Sequence, residues 1–260
     1  MFAFPEKIPY VCFKSITMES ITDCLVCGDE VIYTEQSHDE KCYYCGNSQI
    51  TQAVCVSGHY VCDACHILPA IDIIMEYCAN TSQTDPVEIA LNIMNHQSVK
   101  MHGPEHHMLV PAALIAAWCN FTGRAVEKRE KLAIAQERSL KVPGGFCGFN
   151  GACGAAIGTG IFVSIITGST PLSGREWQLS NLATARSLDR IARSGGPRCC
   201  KRDVFIALQT AREFLDEMLQ IRLPASSEIV CHFDHFNQEC TLEDCMFFKP
   251  KSKHVKAATL

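Results

Sequence analysis

The sequence predicts a mainly α-helical protein with a small zinc-knuckle module, of treble-clef or RING-like cross-brace type, near its N-terminus and a short cysteine-rich tail near its C-terminus. Three observations predict this. Cysteines recur in close-spaced pairs between Cys24 and Cys65. From Ile67 onward the apolar residues follow helical periodicity, broken by proline and glycine. Cys231, Cys240 and Cys245 stand apart in a polar stretch beyond the last helical pattern. The expected organisation is a zinc-binding module over 1–66, a helical domain over 67–222 that carries a cysteine and histidine site, and a tail over 223–260 packed on that domain.

A chain of 260 residues, 47% hydrophobic and 20% charged, reads as globular and suffices for a small module joined to a larger core. A net charge of -5 gives no general attraction to phosphate backbones, and no basic run is long enough to indicate nucleic acid. The opening segment Met1 to Tyr10 holds Pro5 and Pro9 and no long apolar core, so it does not resemble a signal peptide. The apolar run from Ile157 to Ile166 is too short to span a bilayer. A cytoplasmic protein without a membrane partner is expected. Seventeen cysteines, an odd number gathered in short motifs, point in that setting to metal or redox chemistry rather than to disulfides.

Residues 24 to 66 form a ligand field: Cys24-x2-Cys27, Cys42-x2-Cys45, then Cys55-x3-His59-x2-Cys62-x2-Cys65-His66. Two-residue spacing lets both thiolates of a knuckle reach one tetrahedral zinc, and two knuckles close a structural site. The run from Cys42 to Cys65 has the ligand order of the first six positions of a RING-like cross-brace, with Cys24 and Cys27 upstream in place of the last knuckle. On that analogy Cys42, Cys45, Cys62 and Cys65 hold one metal, and Cys24, Cys27, Cys55 and His59 a second. Metal here substitutes for a core that some forty residues cannot build. Ubiquitin-ligase activity follows from this order only as an analogy of fold. His66 reads as a helix-start residue or spare ligand, and Cys12 has no partner spacing.

The helical domain begins with an apolar segment from Ile67 to Cys78. Asp85-Pro86 opens a helix through His96, with Asp85 as cap and proline in the first turn. An alanine-rich helix from Pro111 to Phe121 must be packed on most sides. Its mouth carries His102, Glu105, His106 and His107. These can bind metal, act as an acid–base pair or order a cluster's thiolates; alternatively Glu105 compensates the helix dipole while the imidazoles bond nearby backbone. HExxH spacing is absent, which excludes a zincin. Arg124 to Leu140 reads as a solvated amphipathic helix whose charges are exposed.

The chemistry is expected between Gly144 and Arg202. Cys147 and Cys153 lie among glycines ahead of a helix from about Cys153 to Thr167, whose small residues allow close approach to its neighbours. A phosphate loop fails there for want of a lysine and a preceding strand. After a helix over Gly174 to Ser194, Gly195-Gly196-Pro197 leads to Arg198-Cys199-Cys200-Lys201-Arg202 and a helix over Asp203 to Leu219. Three cations and a helix N-terminus favour thiolate, so Cys199 or Cys200 is the candidate low-pKa nucleophile or cluster ligand. In the tail, Cys231, Cys240 and Cys245 are too widely spaced for a lone knuckle. They suit a metal completed by His232, His235 or a cysteine from the earlier pairs, one reading being a zinc that pins the tail.

Several strings, namely Cys55-x3-His59-Tyr60-Val61-Cys62-Asp63-x-Cys65-His66, Met101-His102-Gly103-Pro104-Glu105-His106-His107, Gly144 to Gly158, Gly195 to Arg202 and Cys240-x4-Cys245, are those of a family that the chain resembles from about Val26 onward. It is an uncharacterised cysteine-rich family of methanogenic archaea and anaerobic bacteria, a domain of unknown function. Separately, Cys153-Gly154-Ala155-Ala156-Ile157-Gly158 followed by Cys199-Cys200 is similar to the signature of a redox family named for its C-GCAxxG-C-C pattern, although Cys147 stands six residues before Cys153. The first resemblance implies an anaerobic setting in which an oxygen-sensitive iron–sulfur cluster is reasonable.

The expectation is therefore a metal-dependent, cysteine-centred enzyme of the oxidoreductase or sulfurtransferase class. Cys147, Cys153, Cys199 and Cys200 converge on one pocket beside His102, Glu105, His106 and His107, with Arg198 among the catalytic groups. The four thiols are either iron–sulfur ligands, as in a [4Fe–4S] site, or redox-active thiols, in redox or sulfur transfer on a small sulfur-containing or other small-molecule substrate. The alternatives are a non-catalytic zinc-binding adaptor and an accessory subunit of a radical or methyl-transfer partner.

Overall fold

The computed structural model describes residues 24, 26, 27, 29–62, 65, 70–225 and 228–250. Cys12 and His66 lie outside them. Among the described residues, one hairpin precedes eight α-helices.

The hairpin pairs β1 (Val31–Lys41) antiparallel with β2 (Ser48–Cys55), in register from Val31 opposite Cys55 to Lys41 opposite Ser48, with an irregularity between Tyr33 and His38. The Cys42 to Cys45 knuckle forms its tip. Cys42 N–H bonds Asn47 O at 2.9 Å and Gly46 N–H bonds Cys42 O at 2.9 Å, with Gly46 at φ 74°. Such a turn favours glycine. Ile50 is 79% exposed, and β2 buries little besides Cys55. The hairpin thus has no apolar core of its own. It is seated on the helices through aromatic contacts of Tyr43 with Tyr77 and of Tyr44 with Tyr77 and His96, and by a 3.0 Å bond between His96 Nε2 and Cys65 O.

The helices are α1 (Ala70–Asn80), α2 (Pro86–Met94), α3 (Glu105–Phe121), α4 (Lys128–Ser139), α5 (Phe146–Asn150), α6 (Gly154–Thr167), α7 (Arg175–Arg193) and α8 (Cys200–Leu219). Asp85 caps α2 by accepting from Val87 N–H at 2.9 Å. The axis is α3, buried without a break from Met108 to Cys119 and packed against α1, α2, α4, α6 and α8. It starts at Glu105, six residues before the expected Pro111. Nothing from Glu105 to Val110 breaks a helix, and the interior proline removes only one backbone donor. Gly158 of α6 packs at that point, where a Cβ would stand 2.8 Å from Pro111 Cδ and 3.1 Å from His107 O.

The expected helix over Arg124 to Leu140 divides into a 3₁₀ turn, Ala125–Glu127, and α4. Its first residue, Lys128, is buried rather than solvated, because its ammonium donates to Thr81 O at 2.7 Å and Asn120 Oδ1 at 2.9 Å. The last helix, α8, begins at Cys200, three residues earlier than expected, because Cys199 is its cap: its sulfur accepts from Arg202 N–H at 3.5 Å. The tail carries 3₁₀ turns at Asp234–Phe236 and Leu242–Asp244. It is held to α8 by the 5.3 Å contact of Phe247 with Phe205, and Cys231 N–H bonds Phe247 O at 2.7 Å. No helix among the described residues is long and apolar enough to cross a membrane.

Candidate metal centres

Two cysteine-rich quartets can hold metal ions. Cys24, Cys27, Cys55 and His59 form one and Cys42, Cys45, Cys62 and Cys65 the other, with the ligand atoms of each within 4.8 Å of one another. The pairs alternate along the chain between the two sites, as in the cross-brace order read from the sequence. At the first, Cys27 and Cys55 sulfurs are 3.5 Å apart and His59 Nδ1 is 3.3 Å from Cys27 Sγ. At the second, Cys45 and Cys62 sulfurs are 3.8 Å apart. A tetrahedral ion with metal–sulfur bonds of about 2.3 Å sets its sulfurs roughly 3.8 Å apart. Three thiolates with one imidazole at the first site, and four thiolates at the second, therefore suit zinc-type binding. Backbone donors also face these sulfurs: Val26 N–H to Cys24 at 3.4 Å, Ser57 N–H to Cys55 at 3.3 Å and Cys62 N–H to Cys42 at 3.4 Å.

The cysteines of the helical domain and tail are arranged differently from the expected single pocket. A small cavity at the N-terminal end of α8 is lined by Cys199, Cys231, Cys240 and Cys245, with Arg202 and the rings of Phe205, Phe233 and Phe247. Cys147, Cys153 and Cys200 do not line it, nor do Glu105, His106 and His107. The reason is the direction of α8. Because the helix begins at Cys200, the capping Cys199 faces the tail, while Cys200 turns toward the backbone of Gly103. Among the described residues only the two upstream quartets bring three or more metal-ligating side chains within 4.8 Å of one another. His232 and His235 are exposed and do not line the cavity.

Cys153 instead caps α6, and its thiol lies 3.6 Å from Asp203 Oδ2. Asp203 pairs with Arg202 Nε at 3.4 Å, and the Arg202 guanidinium donates to Gly195 O at 2.7 Å and Pro197 O at 3.1 Å. Lys201 is buried, donates to Met94 O at 3.3 Å and Val99 O at 3.2 Å, and stands 4.9 Å from the Phe233 ring centre. Arg198 is exposed. The surroundings of Cys199 and Cys200 act against the expected low-pKa thiol. Burial pushes Cys199 up and Cys200 up to about 11, with the Asp203 carboxylate adding to both. Burial likewise pushes Cys153 up to about 12 and Cys231 up to about 11. Arg202 still favours thiolate at Cys199 and Arg198 at Cys200, but burial outweighs them, and Lys201 is turned to carbonyls.

The histidine run also separates. His102 Nε2 bonds Asn237 Oδ1 of the tail at 3.2 Å. His106 Nδ1 bonds Gly103 O at 3.1 Å, its other nitrogen buried without a partner. His107 Nδ1 bonds Val142 O at 3.0 Å. Glu105 lines a second cavity of about 290 Å³ with Ser139, Met108 and Val142. Glu105 Oε1 lies 3.6 Å from His106 Nδ1, but the four side chains form no common ligand set, and the backbone-bonding alternative describes His106 and His107. Sequence reasoning missed Asp203 and the burial of Lys201. The signals were present: Asp203 lies four residues after Cys199, one helical turn, and Lys201 falls on the apolar stripe of Val204, Phe205 and Leu208.

Residues 74–248 match a sequence family described as a family of unknown function, DUF5714. The matched span includes Cys199, Cys231, Cys240 and Cys245 and begins after the two upstream quartets. No curated protein and no solved structure matches the chain.

Proposed function

The chain belongs to that family of unknown function, and we propose from its own side chains that it is a metal-dependent, cysteine-centred protein of redox or sulfur-transfer chemistry. In this reading the two upstream quartets hold zinc and are structural, while the chemistry belongs where the N-terminal ends of α3 and α8 meet.

The observation that carries the reading is the concentration of buried ionisable groups at that junction. Glu105, His106, Lys201, Arg202 and Asp203 are each 9% exposed or less beside Cys153, Cys199 and Cys200. Buried charges cost stability, and burial shifts three of these groups, pushing Lys201 down to about 8, His106 well down and Asp203 up, as happens at functional sites. The raised thiol pKa values favour metal-bound thiolate over a free thiolate nucleophile, since a bound cation removes the proton that burial retains. A small sulfur-containing or other small-molecule substrate fits either form of chemistry.

The test is anaerobic purification, metal analysis and a dithionite titration followed by absorption. A reversible visible transition, lost in Cys199→Ala, is the expected result. Redox-silent protein containing zinc alone, with no thiol of the helical domain alkylated in the folded state, overturns the proposal.

A further inference from the structure

We infer that Cys199, Cys231, Cys240 and Cys245 hold a [4Fe–4S] cluster between the start of α8 and the tail. The inference rests on the metal-dependent reading above and deepens it by giving the cofactor and its four ligands.

The chain supplies its own comparison. Its two upstream quartets gather their ligand atoms within 4.8 Å, the spacing a single ion needs. The third quartet lines one small cavity, and no three of its sulfurs come within 4.8 Å of one another. Four thiolates held apart around a common space suit a polynuclear core, in which each sulfur binds a different iron. The chain spacing agrees. Both upstream sites draw their ligands as close-spaced pairs along the chain, whereas here the ligands come from a helix cap and three separate points of an irregular segment.

The local chemistry is that of a prepared thiolate site. Arg202 N–H faces Cys199 Sγ at 3.5 Å and Phe233 N–H faces Cys231 Sγ at 3.4 Å, the same backbone-to-sulfur bonds that accompany Cys24, Cys55 and Cys42 upstream. Such bonds offset thiolate charge and set cluster potentials. Phe205, Phe233 and Phe247 supply apolar walls that restrict water. Arg202 lines the cavity and, although paired with Asp203, adds positive charge near the sulfurs, while Asp234 and Glu239 on the same wall add negative charge.

The experiment is iron, sulfide and zinc analysis of the full-length chain purified anaerobically, with electron paramagnetic resonance after one-electron reduction by dithionite. Wild-type protein should contain about four irons and four sulfides beyond about two zincs. Cys240→Ser and Cys245→Ser should lose most of the iron and the resonance while keeping zinc and helical circular dichroism, and Cys147→Ala and Cys200→Ala should keep both. A cluster that survives in Cys240→Ser and Cys245→Ser but is lost from Cys147→Ala or Cys200→Ala overturns this ligand set and leaves the redox reading standing. A third zinc in place of iron, with no redox transition, overturns both. If the serine variants do not fold, alkylation mapping of wild-type holoprotein decides. The four cysteines should be protected until the cluster is oxidatively destroyed, and prior alkylation of any of them with the iron retained overturns the assignment.

Discussion

Gly154 lies so close to the His107 ring that a Cβ on it would stand 2.1 Å from His107 Cδ2. The ring has no easy retreat, because its Nδ1 is bonded to Val142 O at 3.0 Å. Gly154→Ala should therefore cost about 1–3 kcal/mol through overpacking, read as a lower urea midpoint. Gly148→Ala, where a Cβ would meet nothing within 4 Å, should fall within about 0.5 kcal/mol of wild type. A Gly154→Ala protein as stable as Gly148→Ala would show that the ring moves freely.

His106 gives a pH signature. Burial, with the nearby Lys201 charge second, holds its pKa well below the ordinary value of 6.5. Its neighbours are Gly103 O, Glu105, His102, His107 and Lys201. The unfolded chain takes up a proton near pH 6.5 that the folded chain refuses, so stability present above that pH is lost as the pH falls below it. The slope from one such group approaches roughly 1.4 kcal/mol per pH unit. His106→Asn, which can keep the bond to Gly103 O without titrating, should flatten the acid limb between pH 6.5 and 5 relative to wild type. Parallel urea-stability curves for the two proteins over that range would refute the assignment.

The helices and the upstream ligand pairing were legible because each is a local pattern. Asp85-Pro86 announces a cap and first turn, and alternating pairs from Cys24 to Cys65 announce interleaved sites. The grouping of the later cysteines was not, since it depends on where α8 begins. Cys199 and Cys200 are adjacent in sequence, yet the cap sends one sulfur toward the tail and the other toward Gly103. Charge was misread for a related reason. Three cations beside two cysteines suggest thiolate only if they outweigh burial, and here Lys201 is committed to carbonyls while Arg202 is shared with Asp203.

Metal removal should separate the hairpin from the helices. With no apolar core of its own, the hairpin would depend, in the zinc-bound form proposed above, on its two candidate ion sites, since structural zinc contributes about 10–16 kcal/mol of apparent binding free energy per site. A zinc chelator should abolish the near-ultraviolet tyrosine signal of Tyr43 and Tyr44, which pack edge to face at 5.5 Å, while most helical ellipticity remains. Release of zinc with that signal intact would mean that contacts with Tyr77 and His96 suffice to hold the hairpin.

Asp203 should govern the reactivity of Cys153. The thiol is held protonated first by burial and next by the Asp203 carboxylate, against the opposing N–H groups of Ala155 and Ala156 at the start of α6. Asp203→Asn removes the charge and nearly preserves the shape, so the Cys153 pKa should fall and its iodoacetamide alkylation at pH 8 should accelerate several-fold, each pKa unit being worth up to about tenfold in thiolate. The substitution also unpairs Arg202, and breaking a buried pair costs about 3–5 kcal/mol when one partner is lost outright. Loosening of the whole domain would accelerate every thiol, which makes Cys78 and Cys119, both 0% exposed in the core, the internal reference. Peptide mapping should show acceleration at Cys153 with Cys78 and Cys119 still unmodified. Equal rates at Cys153 in wild type and Asp203→Asn would mean that burial alone sets its protonation and that the 3.6 Å contact has no electrostatic consequence.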